Sequence, residues 1–268
     1  MDNCFINGQF LPSDQATIRV ADLGLQRSYG VFDYARTLRG ELFHFNDHLA
    51  RFRQSAAELG LVPPASDDEI SDIARQLIAE SRFANPAIRL ILTGGYADDP
   101  HPLENPNFIV STEELPTYPP ETYIHGKNLI TVAYQRELPQ VKSLNYMNSI
   151  RLLPLLRQKG AFDMLFYGVH GITECPRSNF FLFHGDTLVT AQAHILHGIT
   201  RKIVLKLAPQ KYSVEEREIA LEELFTADEA FVTSTSKRVL PIVEVDGAPI
   251  GNGKVGKRTK TLLGLFDR

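Results

Sequence analysis

The stretch Pro139-Gln140-Val141-Lys142-Ser143-Leu144-Asn145-Tyr146 sets a lysine in an uncharged, proline-bounded segment without helical period, which reads as a strand end or loop. A desolvated ammonium gives up its proton more readily than one in water, and the neutral amine forms Schiff bases with carbonyl carbons. Taken singly, Lys142 reads as an ordinary surface lysine. Later clusters change its weight: Ile172-Thr173-Glu174-Cys175-Pro176-Arg177-Ser178-Asn179-Phe180, Ile195-Leu196-His197-Gly198-Ile199-Thr200-Arg201 and Thr233-Ser234-Thr235-Ser236. They offer a carboxylate, a helix opening and a run of hydroxyls. Arg89 stands inside the apolar run Ile88-Arg89-Leu90, where a guanidinium is costly to bury unless an anion or carboxylate pairs with it.

The elements that must carry these residues alternate in type. Cys4-Phe5-Ile6-Asn7-Gly8-Gln9-Phe10 reads as a hairpin around an Asn-Gly turn. Strands are predicted at residues 16–20, 30–37 and 41–45, with the glycine-punctuated loop 22–30 before the second. A helix is predicted over 46–60, begun by Asn46 or Asp47 and stopped by Gly60, and another over 67–84. Strands follow at 88–93 and 108–111. The polar, proline-rich stretch after them predicts an interdomain linker at 113–122, between an N-terminal α/β domain, 1–112, and a larger C-terminal domain, 123–268. That second part reads as strands at 128–133, 162–167, 179–183 and 230–233. Its helices fall at 149–159, where Pro154 marks a kink or the true start, at 198–208, and in the tail from 251 to 268.

Composition narrows the class. A chain of 268 residues with a net charge of −4 has ample core for two domains and no basic field for nucleic acid, so a small-molecule partner is expected. Cys4 and Cys175 are far apart and form no ligand spacing, which suggests neither disulfide nor zinc and fits a reducing cytoplasm. The opening residues show no basic segment followed by an apolar one, and no apolar run is long enough to span a bilayer. His44, His48, His170 and His197 form no ligand cluster and read as structural.

The order of Lys142, the Glu174 cluster, Gly198-Ile199-Thr200 and Ser234-Thr235 resembles the class IV, fold-type IV, pyridoxal-phosphate aminotransferases. The early Asn7-Gly8 hairpin, His48 and Arg51 on one helix, and the closing Pro241-Ile242-Val243-Glu244-Val245-Asp246-Gly247 extend the resemblance over nearly the whole chain. It implies a two-domain α/β (α+β) fold with the active site between the domains. It makes Lys142 the residue that holds pyridoxal 5′-phosphate and then moves the proton at the substrate Cα. Glu174 matches the carboxylate that keeps the pyridine nitrogen protonated, so that the ring accepts electrons. Ile199 and Thr200 open the helix that receives the phosphate, Ser234 and Thr235 match the hydroxyls opposite, and Arg51 matches the charge partner. Tyr146 resembles the tyrosine that hydrogen-bonds the cofactor's phenolic oxygen in branched-chain members.

The wording Lys142-Ser143-Leu144-Asn145 looks like D-amino-acid transaminases, yet their Arg-x-His carboxylate trap is here Asp99-Pro100-His101, and their active-site tyrosine is Phe32. Arg27, Arg89 and Arg177 instead resemble a less familiar group of D-amino-acid transaminases in which several arginines bind the substrate carboxylates. The resemblance therefore implies transfer between D-glutamate and 2-oxoglutarate, with D-alanine and pyruvate as possible partners, by a ping-pong cycle. A branched-chain L-amino-acid aminotransferase, an aminodeoxychorismate lyase and a non-catalytic pyridoxal-phosphate-binding protein stay open as alternatives. A homodimer is implied too, with Arg27 and His101 as candidates for reaching into the neighbouring subunit.

Overall fold

The computed structural model describes residues 2–101 and 103–267, so residue 1 and the last residue of the expected C-terminal helix lie outside the described residues. The chain divides into two compact units, Met1–Pro116 with Val141–Asn145, and Thr117–Gln140 with Tyr146–Arg268. The lysine segment thus returns to the first unit after the chain has entered the second.

The first unit opens with β1 (Asn3–Ile6) and β2 (Gln9–Pro12). Their turn has Asn7 at φ 48° and Gly8 at φ 89°, the left-handed pair that a tight hairpin requires. Then come α1 (Leu23–Arg27), β3 (Gly30–Leu38), β4 (Glu41–Leu42), α2 (Phe45–Glu58), α3 (Asp67–Glu80), β5 (Pro86–Thr93) and β6 (Phe108–Glu114). The strands form an antiparallel sheet in the order β2-β1-β6-β5-β3-β4. Period-two alternation buries Val31 and Ala35 of β3 and Ile88, Leu90 and Leu92 of β5 with Leu49, Phe52, Ile70 and Leu77 of α2 and α3. The alternate positions Phe32, Tyr34, Arg89 and Ile91 are only half-buried and belong to the other face.

The expected strand at 16–20 does not form. Ile18 and Val20 are exposed rather than half-buried, and the chain turns through Asp22 N–H to Arg19 C=O, with Arg19 paired to Asp98 and stacked on Tyr96. The strand expected at 41–45 ends at Leu42, because α2 starts early: its N-cap is His44 at φ 52°, not Asn46 or Asp47. The helix α3 begins with a Ser66–Glu69 capping box.

Of the residues expected as linker, Glu113 and Glu114 end β6, and Pro120–His125 is a short helix, α4. The second unit continues with β7 (Lys127–Ala133), α5 (Met147–Arg151), α6 (Leu153–Lys159), β8 (Asp163–Gly168), β9 (Gly171–Ile172), β10 (Glu174–Cys175), β11 (Ser178–His184), β12 (Thr187–Thr190), α7 (Ile199–Leu207), β13 (Ser213–Glu216), β14 (Glu229–Ser234), β15 (Arg238–Val245), β16 (Ala248–Pro249) and α8 (Lys257–Phe266). Pro154 sits in the first turn of α6, so the single helix expected at 149–159 is two. The strands run β13-β12-β11-β14-β15-β7-β8-β9, with β10 on β11 and β16 on β15. The pairs β12–β13, β15–β7 and β7–β8 are parallel and the others antiparallel. Phe180, Leu182, Val232, Leu240 and Ile242 form its core. Among the described residues no helix is long and apolar enough to cross a membrane, and no group of three or more His, Cys, Asp or Glu could hold a metal ion.

Candidate active site

In the first unit, backbone bonds on both sides hold the lysine. Phe32 N–H donates to the Lys142 carbonyl at 2.9 Å, and Leu144 N–H to that of Gly30 at 2.9 Å, so residues 142–144 lie along the start of β3. From α2, the Ser55 hydroxyl accepts the Lys142 N–H at 3.1 Å. The side chain reaches over Phe32, with Nζ 4.3 Å from the ring centroid. The same ring takes the Arg89 guanidinium at 5.5 Å, and Tyr34 takes it at 4.9 Å. An aromatic face attracts both cations. The unusual placement of Arg89 is answered by Glu113, which accepts from both Nε and Nη2 of the guanidinium. Burial, then the Glu113 carboxylate, pushes the Tyr34 phenol up to about 12.

On the buried face of β3, Asp33 is 1% exposed and binds two residues of α2. His48 Nδ1 lies 2.6 Å from Asp33 Oδ1, while Arg51 donates through Nε at 2.9 Å and Nη2 at 2.8 Å. Burial alone would raise the Asp33 carboxyl, but the charges and hydrogen bonds of Arg51 and His48 overcome it and hold the group far below the usual carboxylate range. Burial, assisted by the charges of Arg51 and Lys142, holds His48 below its ordinary value despite Asp33. Asp33 carried no signal in the sequence beyond being an acid at an inward position of a strand. Arg27 ends α1 and is exposed, its Nη1 donating to the Gln26 carbonyl. The loop bearing it is pinned by buried Asp22, which accepts from Leu25 N–H, Thr93 Oγ1 and Asn107 Nδ2. His101 is exposed at a turn where Asp99 accepts its N–H.

The second unit builds a carboxylate centre around Glu174. This side chain is 4% exposed and lies on β10. Arg136 Nη1 donates to its Oε1 at 3.1 Å, and the Leu196 N–H to its Oε2 at 3.0 Å. Arg136 was missed in the sequence, although it is a cation shortly before Lys142. Asn179 stands opposite Glu174, and Thr233 stands opposite Asn179, so the three share one face of the sheet. Asn179 Nδ2 also donates to the Leu196 carbonyl at 2.7 Å. The next residues turn into α7. A side chain at Gly198 would put Cβ 2.2 Å from Asn179 Oδ1, so only glycine lets the helix start this close to the strand. Ile199 and Thr200 are buried in its first turn, ahead of the first helical bond from Lys202 N–H to the Gly198 carbonyl. At the end of β14, Ser234 and Thr235 are half-buried, and Ser234 Oγ accepts the Lys237 N–H. Tyr146 is half-buried at the start of α5, and Arg177 is exposed at the turn between β10 and β11.

These groups fit a phosphorylated pyridine. Glu174 is a buried acceptor for a ring N–H, amides at a helix start and the hydroxyls of Ser234 and Thr235 suit a phosphate, and Thr233 Oγ1 is buried without a hydrogen-bond partner among the described residues.

The sequence between residues 30 and 245 matches the family model described as amino-transferase class IV. The chain belongs to that family, and with it to the pyridoxal-phosphate-dependent aminotransferases of fold type IV. It is 32% identical to a putative branched-chain-amino-acid aminotransferase of Methanocaldococcus jannaschii, over 98% of this chain and 94% of that one. It is 30% identical to the D-alanine aminotransferase of Staphylococcus aureus, over 100% and 98%. A branched-chain amino acid aminotransferase of T.th., solved with pyridoxamine 5′-phosphate, superposes with a TM-score of 0.92 at 26% identity, covering 99% of this chain and 92% of that one.

Proposed function

We propose that this aminotransferase moves an amino group between a D-amino acid and a 2-oxo acid, with D-glutamate and 2-oxoglutarate preferred and D-alanine and pyruvate as further partners. The observation that carries the reading is the Phe32 ring, which bears the Lys142 amine at 4.3 Å and the Arg89 guanidinium at 5.5 Å. A substrate carboxylate has a guanidinium within reach of the amine that handles its α-carbon, provided it displaces or shares Glu113, which accepts from Nε and Nη2 of Arg89. Arg27 and Arg177, both exposed, supply further positive charge for the substrate.

When bound, pyridoxal phosphate supplies an electron sink for the substrate's Cα. Lys142 takes and returns the proton at that carbon through Nζ. Glu174 accepts a hydrogen bond from the ring nitrogen, with Arg136 and the Leu196 N–H fixing the carboxylate. Ile199 and Thr200 through their amides, Ser234 and Thr235 through their hydroxyls, and Arg51, steered by Asp33, hold the phosphate. Tyr146 donates to the phenolic oxygen. The working form is a homodimer in which Arg27 and His101 reach the neighbouring copy. Free, buried Cys4 and Cys175 suit a reducing compartment such as the cytoplasm.

A branched-chain L-amino-acid aminotransferase is the second reading. It is favoured by the Methanocaldococcus jannaschii relative and by Glu113, which already neutralises Arg89 and leaves Phe32, Tyr34 and Ile91 as an apolar surround. Steady-state assays of the holoenzyme decide between them. D-glutamate with pyruvate should give a higher kcat/KM than L-leucine with 2-oxoglutarate, and the reverse order would replace the first reading with the second.

A further inference from the structure

Lys237 has no part in the roles above, yet it is among the most enclosed charged residues of the second unit, at 3% exposure. Its Nζ donates to Asp163 Oδ2 at 2.7 Å and to Ser178 Oγ at 2.8 Å. Its N–H donates to Ser234 Oγ at 3.1 Å, and its carbonyl accepts from the Tyr123 hydroxyl at 3.2 Å. The three polar groups of one residue therefore reach four parts of the unit: Nζ reaches β8 and β11, the N–H reaches β14 and the carbonyl α4.

The position of this residue gives the ties a purpose. Ser234 pairs with Arg238, so residues 235–237 are the loop between β14 and β15, and Arg238 leaves it at φ 54°. The first part of the loop is half-buried and carries the hydroxyls, whereas Lys237 folds back into the sheet. Successive strand residues face opposite ways. Asn179 belongs to the face of Glu174 and Thr233, so Ser178, and with it the Lys237 ammonium, belongs to the reverse face. Ser178 also stands opposite Cys175, next to Glu174 in the short β10–β11 hairpin. The lysine thus ties the hydroxyl-bearing loop, from behind, to the hairpin that carries the carboxylate.

An apolar pair of similar size would fill this space without the desolvation that a buried ion pair incurs, and such pairs add little net stability. Direction is what the charges contribute: the ammonium can rest only where Asp163 and Ser178 both accept from it.

We propose that Lys237 is a positioning residue, whose buried pair with Asp163 and bond to Ser178 hold Ser234 and Thr235 in place for the cofactor phosphate. This rests on the assignment of those two hydroxyls to the phosphate.

The test uses the whole protein, with cofactor removed and re-added, and measures the dissociation constants of pyridoxal phosphate and of pyridoxal, which lacks the phosphate. The variant is Lys237→Met with Asp163→Asn, which removes both charges together and keeps the Asp163 oxygen that accepts the Met164 N–H. It should weaken pyridoxal phosphate about tenfold, the loss of a well-placed charged hydrogen bond, and leave pyridoxal unchanged. Equal weakening of both ligands, or of neither, overturns the proposal. Thr235→Val is the control for the underlying assignment. If it leaves the ratio of the two constants unchanged, the hydroxyls do not hold the phosphate; if it lowers the preference for the phosphorylated ligand and the double variant does not, Lys237 alone loses its role. Should the double variant not fold, Ser178→Ala, which removes one acceptor of the ammonium and leaves the Lys237–Asp163 pair in place, is judged by the same ratio.

Discussion

Replacing Asp33 by asparagine isolates the electrostatics that steer Arg51. The carboxylate is 1% exposed and the Arg51 side chain 11% exposed, so the variant leaves a nearly buried guanidinium facing a neutral amide. Removing one partner of a buried ion pair costs about 3–5 kcal/mol, and an amide oxygen that still accepts one hydrogen bond places Asp33→Asn near the lower end. For a chain of this size that corresponds to a melting temperature lower by roughly 6–12 °C, read by circular dichroism on cofactor-free protein at pH 7. The pH dependence has a defined sign. A depressed folded-state pKa contributes stability that is complete above the unfolded value of about 3.9 and is lost as pH falls through the folded value, which lies far lower. The carboxylate's own contribution should therefore be constant from neutral pH down to about 4 and be lost only below it, while the variant also loses the support that Asp33 gives a protonated His48, so the gap should widen as pH falls below about 6.5 before it narrows. A gap under about 2 °C at pH 7, corresponding to less than about 1 kcal/mol, would refute a buried carboxylate holding Arg51.

Other outcomes follow from the same geometry. Glu174→Gln should lower kcat on the order of a hundredfold by removing the charge next to the ring nitrogen, while Arg136→Met, measured in the same assay, should lower it less, since the Leu196 N–H still holds Oε2. His48 is kept below its ordinary pKa by burial, so the folded state resists its protonation and loses stability as pH falls below about 6.5; His48→Gln should flatten that part of the melting-temperature profile. Glu113→Gln releases Arg89 from a half-exposed ion pair and should lower KM for D-glutamate roughly two- to fivefold, leaving KM for L-leucine unchanged in parallel assays.

Several elements could be read directly from the chain. The Asn7-Gly8 turn, the alternating strand from Gly30 and the amphipathic α2 and α3 follow from local periodicity and turn chemistry, and all are present. The alternation at 16–20 misled because it lies where no strand pairs with it, and a period of two shows only that a strand is possible. The helix at 149–159 split because a first-turn proline starts α6 anew. Lys142 and Glu174 stand out in the sequence only through the order of the motifs that carries the family resemblance, since a lone lysine and a carboxylate in a hairpin are each ordinary taken singly. Arg136, Asp33 and Lys237 do not stand out, because each acquires meaning only through a partner distant in sequence. The sequence shows that Arg89 needs an anion but not which one; it is read there as a substrate-binding arginine, and Glu113 on the adjacent strand supplies an internal partner that periodicity could not have shown.

The most direct measurement is a half-reaction: purified holoenzyme is mixed with D-glutamate or with L-leucine, without a 2-oxo acid, and the absorbance of the bound cofactor is followed. D-glutamate alone should convert it, and Lys142→Ala should abolish the conversion. Conversion by L-leucine and not by D-glutamate would contradict the D-amino-acid assignment.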